Sequence, residues 1–395
     1  MWGVGRRIVL GLVFWLALAA AAWAAEVSIQ HFTLPPSGGR PHDVAVDTSG
    51  IVWYTAQKDG KLGRLDPKDG KIDLIPLGEG SAPHGVIVGP DGAPWITDSG
   101  LNAIVRADPA SREVRAWKLP EEKWYTNLNT ASFDKRGRIW FTGQNGIYGR
   151  LDPKSGEMKV FDAPRGRGAY GIATTPGGDV YYASLAGNHI ARIDVDTDAA
   201  TVIEPPTKEQ GARRVWSDSK GNIWVSEWRS GQVSRYDPKA GAWKSWKAPG
   251  EKPQVYAVYV DPDVVWVSEW SANAMLRFDP RTEQFQAFPS DKAKANVRQI
   301  LDAKAKCGRR SRARTGSSSI ERNETRHLHS GGRLGDASSG RTKARRACVS
   351  AVLCLSFGRR RRGQAHGAQP SRRDRTARGG PAGFRVLFSD GESGA

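Results

Sequence analysis

The stretch RPHDVAVDTSGIVWYTA, residues 40–56, places a histidine before one alternating apolar run, closes that run with a DTSG turn, and starts a second run. Alternation at period two marks a strand with one buried face, and Asp and Gly at the turn supply the backbone freedom a tight hairpin needs. Residues 82–98, APHGVIVGPDGAPWITD, repeat the pattern 42 residues later. One such hairpin cannot bury its own apolar face, so the fold depends on how many copies the chain holds.

Aligning on the residue two before the first apolar position of each opening strand gives His42, His84, Asn129, Tyr170, Arg213, Tyr256 and Arg298, spaced 41 to 45 residues apart. An aromatic recurs on the second strand as Trp53, Trp95, Trp140, Tyr181, Trp224 and Trp266. A third strand ends six times in Arg-x-Asp, from Arg64 and Asp66 to Arg277 and Asp279, and a short alternating run such as KIDLIPL follows. Four strands in a unit of about 43 residues is the period of a β-propeller blade. Six full units fill about residues 40–290, and a seventh opens at residues 295–301. The N-terminal EVSIQHFTLP, residues 26–35, matches a fourth strand that lacks its first three. The expected fold is therefore all-β: a seven-bladed propeller over residues 26–301, its last blade incomplete and closed by residues 26–35. The Trp column and the Arg-x-Asp pairs read as packing and strand pairing rather than chemistry.

The chain of 395 residues carries a formal charge of +18, but residues 302–395 hold +15 of it and the first 301 residues only +3. The charge therefore argues for no nucleic-acid partner of the propeller. Arg6 and Arg7 precede an apolar run over residues 8–22, and Ala22-Trp23-Ala24 sets small residues where a signal peptidase reads them. That run is short for a membrane span, and the polar EVSIQHF follows at once. Residues 1–24 are accordingly expected to be a signal peptide cleaved near Ala24, leaving a periplasmic or secreted monomer with no stable membrane anchor. Cys307, Cys348 and Cys354 all lie beyond residue 301, so the propeller uses no disulfide.

The aligned residues at the strand openings are expected to ring the mouth of the central channel. Three positions beyond the second-strand aromatic lies a further ring: Ala56, Asp98, Gly143, Ser184, Glu227 and Glu269. Imidazoles and carboxylates gathered there can hold a divalent ion or exchange a proton near neutral pH. They equally fit a polar, water-filled mouth that only binds a small molecule or peptide.

The pieces RPHDV, APHGVIVGPDGAPWITD, GRIWFTGQNGIYGRLDP and GNIWVSEWRSGQVSRYDP resemble the virginiamycin B (streptogramin B) lyase family over about residues 36–301. The resemblance implies a seven-bladed propeller that opens the lactone of cyclic depsipeptide antibiotics by elimination, with Mg²⁺ held by Arg-Pro-His, Glu-Pro-His-Gly and a later acid. Carried over, His42 and His84 stand at the two histidines and Asp98 at the acid. Two departures stand out: Ala82 replaces the glutamate before the second histidine, and the histidine blades come first in the chain rather than last. His84 is then the expected acid–base, with His42 beside it. Asp98, Glu227 and Glu269 are the expected metal carboxylates, and Asn129, Tyr170, Arg213, Tyr256 and Arg298 the substrate contacts. The alternatives are a non-enzymatic propeller binding a peptide or glycan, and a lactone hydrolase.

After Leu301 the repeat stops in mid-blade and GRRSRARTG and GRRRRGQ take over. Read one base earlier, compatible codons for residues 301–321 give Gly-Arg-Gln-Gly-Glu-Val-Trp-Ala-Ala-Glu-Ser-Gly-Thr-Asp-Arg-Leu-Val-Val-Tyr-Arg, the missing second and third strands with their Trp and Glu. Residues 302–395 are therefore expected to be frameshifted translation without fixed structure.

Overall fold

The computed structural model describes residues 28–38, 41–261, 264–302, 351–356 and 384–388. The signal-peptide expectation for residues 1–24 and the N-terminal Arg40 of the first motif fall outside them, as does most of the tail. No helix among the described residues is long and apolar enough to cross a membrane.

Six four-stranded sheets follow one another along the chain, each built from consecutive antiparallel strands in simple order. Blade 1 comprises Pro41–Val46, Val52–Ala56, Lys61–Leu65 and Ile72–Pro76; blade 2 begins with Pro83–Val88 and Pro94–Asp98. The opening strands of blades 3 to 6 are Leu128–Phe133, Ala169–Thr174, Ala212–Ser217 and Val255–Asp261. Each opening strand packs beside that of the next blade, and Ile300–Asp302 packs beside both Val255–Asp261 and Pro41–Val46, which closes the ring.

The landmark columns do structural work. Trp53, Trp95, Trp140, Tyr181, Trp224 and Trp266 are all buried. Four of the indoles donate to the acid of the preceding turn: Trp53 to Asp47 and Trp224 to Asp218 at 3.1 Å, Trp95 to Asp91 at 3.1 Å, and Trp140 to Asp134 at 2.9 Å. The aspartate of Arg-x-Asp caps the next turn, as when Asp66 Oδ1 accepts the Lys68 amide at 3.0 Å.

The seventh sheet departs from the expectation. Its inner strand Ile300–Asp302 and outer strand Ser28–Thr33 are those foreseen, but the two places between them are taken by Phe384–Phe388 and Ala351–Ser356 from the tail. These two pair with each other in parallel, and Ala351–Ser356 pairs in parallel with Ser28–Thr33, whereas the six blades are antiparallel throughout. The tail is thus not without structure at these two segments. Two open edges facing one slot form a template that extended chain can fill.

Candidate functional site

Every opening strand of blades 1 to 6 begins with a break in register, between Pro41 and Val44 in blade 1 and between Pro83 and Gly85 in blade 2. An irregularity of this kind re-aims the side chains next to it. It lets two successive residues, not one, face the channel: His42 with Asp43, Asn129 with Thr130, Arg213 with Arg214. A hydroxyl from the second strand secures the bulge. Thr55 Oγ1 accepts the Asp43 amide at 3.0 Å and donates to the carbonyl of His84 in the next blade at 2.8 Å. Thr97 does the same for Gly85 at 3.0 Å and the carbonyl of Asn129 at 2.5 Å. Each clamp ties the channel residue of one blade to its neighbour, so the mouth is rigid by construction.

The structure brings His42 and His84 together, with ring centroids 3.8 Å apart. His84 Nδ1 lies 3.0 Å from the Asn129 carbonyl and Nε2 lies 3.2 Å from the Asn129 side-chain nitrogen. The carbonyl can only accept, so the proton sits on Nδ1, and the Nε2 lone pair accepts from the Asn129 side-chain amide. Thr130 donates to Asn129 Oδ1 at 2.6 Å, which turns the amide nitrogen toward His84. On the other side, His42 Nδ1 donates to Asp43 Oδ1 at 3.1 Å. Arg214, from blade 5, reaches across the channel to Asp43 Oδ1 at 2.7 Å and Thr130 Oγ1 at 2.8 Å. The circuit Asp43–Arg214–Thr130–Asn129–His84 therefore joins blades 1, 2, 3 and 5, and its members are buried.

Burial pushes the pKa of His84 well below its ordinary 6.5, and the neighbouring His42 deepens the shift. Burial also lowers His42, but here Asp43 opposes it. Asp43 would be raised by burial, yet Arg214 and His42 hold it well below the usual carboxylate range. Both imidazoles are thus neutral at pH 7, and His42 is the less strongly depressed because Asp43 opposes its burial.

The remaining ring residues form a second cluster alongside. The hydroxyls of Tyr170 and Tyr256 are 2.7 Å apart, and Arg213 donates to Tyr170 at 3.1 Å while lying 3.7 Å over the Tyr256 ring. Arg298 donates to the Tyr256 hydroxyl at 3.4 Å. Burial and Tyr256 push Tyr170 up to about 12, whereas the guanidiniums of Arg213, Arg214 and Arg298 outweigh burial at Tyr256 and lower it. Trp124 and Tyr125 are the large hydrophobic side chains exposed among the described residues. They lie on the loop leading into Asn129, at the same end of the propeller.

Asp98, Glu227 and Glu269 are not part of this cluster, contrary to the expectation. Asp98 Oδ1 accepts the amides of Ala82, Gly100 and Leu101 at 2.9 to 3.0 Å. Glu269 accepts the amides of Gln254, Ser271 and Ala272 at 2.5 to 2.9 Å. Glu227 accepts Gln210 Nε2 at 2.8 Å and the hydroxyls of Ser230 and Ser234. A carboxylate at a strand end next to a turn meets several unpaired N–H and O–H groups, and here they consume it. The carboxylate at the histidines is Asp43, which the alignment passed over. The column after the ring residue, Asp43, Gly85, Thr130, Gly171, Arg214, Ala257 and Gln299, is as chemically varied as the ring itself. That variety was the available signal.

His42, Asp43 and His84 form the one group among the described residues whose potential ligand atoms lie within 4.8 Å of one another. The set nevertheless does not fit the Mg²⁺ that the family resemblance implies. The Arg214 guanidinium already sits on the only carboxylate, both His84 nitrogens are engaged by Asn129, and Ala82 supplies no second acid. Mg²⁺ prefers several oxygen ligands and repels a fixed cation.

A family model described as the virginiamycin B lyase family matches residues 14–277. The structure is similar to a selenomethionine-substituted virginiamycin B lyase from Staphylococcus aureus at 22% identity, covering 67% of this chain and 89% of that one, with a TM-score of 0.60. A streptogramin B lyase structure matches at 22% identity over 68% of this chain and 89% of that one, TM-score 0.63. A catalytically inactive His-to-Ala variant of the S. aureus enzyme, with quinupristin, matches at 21% identity over 68% and 91%, TM-score 0.62. No curated protein matches the chain.

Proposed function

The chain belongs to the virginiamycin B lyase family, and we propose that it is a carbon–oxygen lyase opening a lactone or ester in a cyclic depsipeptide such as a type B streptogramin. The observation that carries this reading is the facing pair of neutral imidazoles with different partners: His84 with Nε2 as acceptor, His42 held on Asp43. With the bound substrate displacing the Asn129 amide from Nε2, His84 takes the proton from the carbon next to a carbonyl. The electron pair left behind forms a carbon–carbon double bond as the adjacent carbon–oxygen bond breaks, and the ester oxygen departs as a carboxylate, which needs no proton near neutral pH. Arg213, Arg298 and the acidified Tyr256 hydroxyl face the developing negative charge on the carbonyl oxygen. Trp124 and Tyr125 offer apolar contact to the body of the macrocycle. That the S. aureus neighbour loses activity when one histidine becomes alanine supports giving the role to a histidine here.

The burial of both imidazoles favours a second reading, a propeller that binds a peptide or glycan at the mouth without turnover. Incubation with cyclic depsipeptides and simple lactones, read by mass and ultraviolet absorption, separates the cases. Elimination yields an opened product of unchanged mass with a new conjugated double bond. A gain of one water identifies a hydrolase, and binding without any product identifies the binding module.

A further inference from the structure

We propose that Arg214 is the resident cation of the histidine site, replacing a divalent ion, so that this propeller works without metal. Three observations lead there. Arg214 arrives from blade 5, across the channel from the histidines, and the inner-strand bulge of its own blade turns it inward beside Arg213. Its two terminal nitrogens are both committed, one to Asp43 Oδ1 at 2.7 Å and one to Thr130 Oγ1 at 2.8 Å. The pair is buried, Arg214 at 4% exposure and Asp43 at 1%. A buried carboxylate needs a compensating charge, and one already satisfied by a guanidinium has little left to gain from a second cation.

Arg214 also does more than neutralise. Through Thr130 and Asn129 it sets the orientation of the His84 acceptor, and through Asp43 it sets His42. A fixed guanidinium thereby links the two imidazoles that a shared metal ion would otherwise link. The inference rests on the proposed elimination only for what the cation serves, not for its presence in the site.

The test is metal binding, measured apart from activity. Mn²⁺ alone is titrated into the full-length wild type and into Arg214→Met, and free ion is followed by electron paramagnetic resonance. The wild type is expected to bind no stoichiometric Mn²⁺ at millimolar concentration. Arg214→Met, with Asp43 uncovered beside two imidazoles, is expected to bind one equivalent about 100-fold more tightly or better, since a unit charge a few ångströms away is removed. Arg214→Lys keeps the charge and is expected to bind as weakly as wild type, a comparison that stands if the methionine variant does not fold. One equivalent of Mn²⁺ on wild type, lost in His42→Ala, overturns the proposal. So does an Arg214→Met variant that folds and gains no ion. If depsipeptides prove to be substrates, turnover unaffected by chelator supports it. Absence of turnover with absence of Mn²⁺ binding leaves the cation assignment standing and removes only the lyase reading.

Discussion

His84 keeps its proton on Nδ1 because a backbone carbonyl stands 3.0 Å away, and that single contact makes the other nitrogen the reactive one. The two imidazoles differ in role because of neighbours rather than type: Asn129 serves one and Asp43 the other. The pH dependence follows with a definite sign. The pKa of His84 is lowered in the folded chain, so below about 6.5 the unfolded chain takes up protons that the folded one refuses, and stability falls as pH drops. Asp43 is also lowered; it contributes stability that is complete above its ordinary 3.8 and lost as pH falls through its folded value. Melting temperature measured from pH 8 downward is expected to begin falling near pH 6.5 and to fall again below pH 4. Asp91, Asp134 and Asp279 are lowered too, so Asp43→Asn should shrink the second decline rather than abolish it, and a curve identical to wild type would contradict the pairing. Asp43 was not legible in the sequence because an alignment that counts one inward residue per strand hides the second residue a bulge exposes. Asp98, Glu227 and Glu269 mislead for the opposite reason. Their column is regular, but a carboxylate at a turn finds its partners in the backbone.

At the scale of the strand and blade, more of the structure is legible in the sequence. The alternating runs, the aromatic column and the Arg-x-Asp ends placed all six complete blades, because burial and turn chemistry act locally and repeat. What repeats less visibly is the hydroxyl two residues after the aromatic, in Thr55, Thr97, Thr142, Ser226 and Ser268, with Ala183 as the exception. Thr97→Val keeps the shape and removes the clamp. It leaves the Gly85 amide without its hydroxyl partner and the Asn129 carbonyl with His84 Nδ1 alone, which should cost about 1–3 kcal/mol in denaturant unfolding. Trp140, fully buried, is a packing residue: Trp140→Ala should cost roughly 3–5 kcal/mol through the cavity it leaves. Gly85 shows why the second histidine is followed by glycine. A Cβ there would stand 2.5 Å from the Asn129 carbonyl oxygen and 2.7 Å from Thr97 Oγ1. Gly85→Ala is therefore expected to push blades 2 and 3 apart at the His84 contact and lower activity more than it lowers melting temperature. Equal losses in both would mean that the glycine matters for packing alone.

For the whole molecule, the ring gathers seven residues of four types into one site, and its closure decides whether that site is held. The seventh sheet is the weak point, since its two middle strands come from residues 351–356 and 384–388 and run against the antiparallel pattern. The sequence showed where the repeat breaks, after Leu301, but not that tail segments would occupy the gap, because pairing at an open edge needs only extended backbone. Restoring the reading frame at the Leu301 codon is expected to raise the melting temperature and reduce aggregation relative to the chain as it stands. A less stable restored chain would count against the frameshift, as would an intact frame on resequencing of the gene. The central claim is that the mouth is catalytic and that His84 is its base. It is tested most directly by the ring-opening rate of His84→Ala beside wild type, with melting temperature measured on the same samples. The rate is expected to fall by about 10² to 10⁴ in a chain that still folds and melts cooperatively. A folded His84→Ala chain that opens the ring as fast as wild type would contradict it.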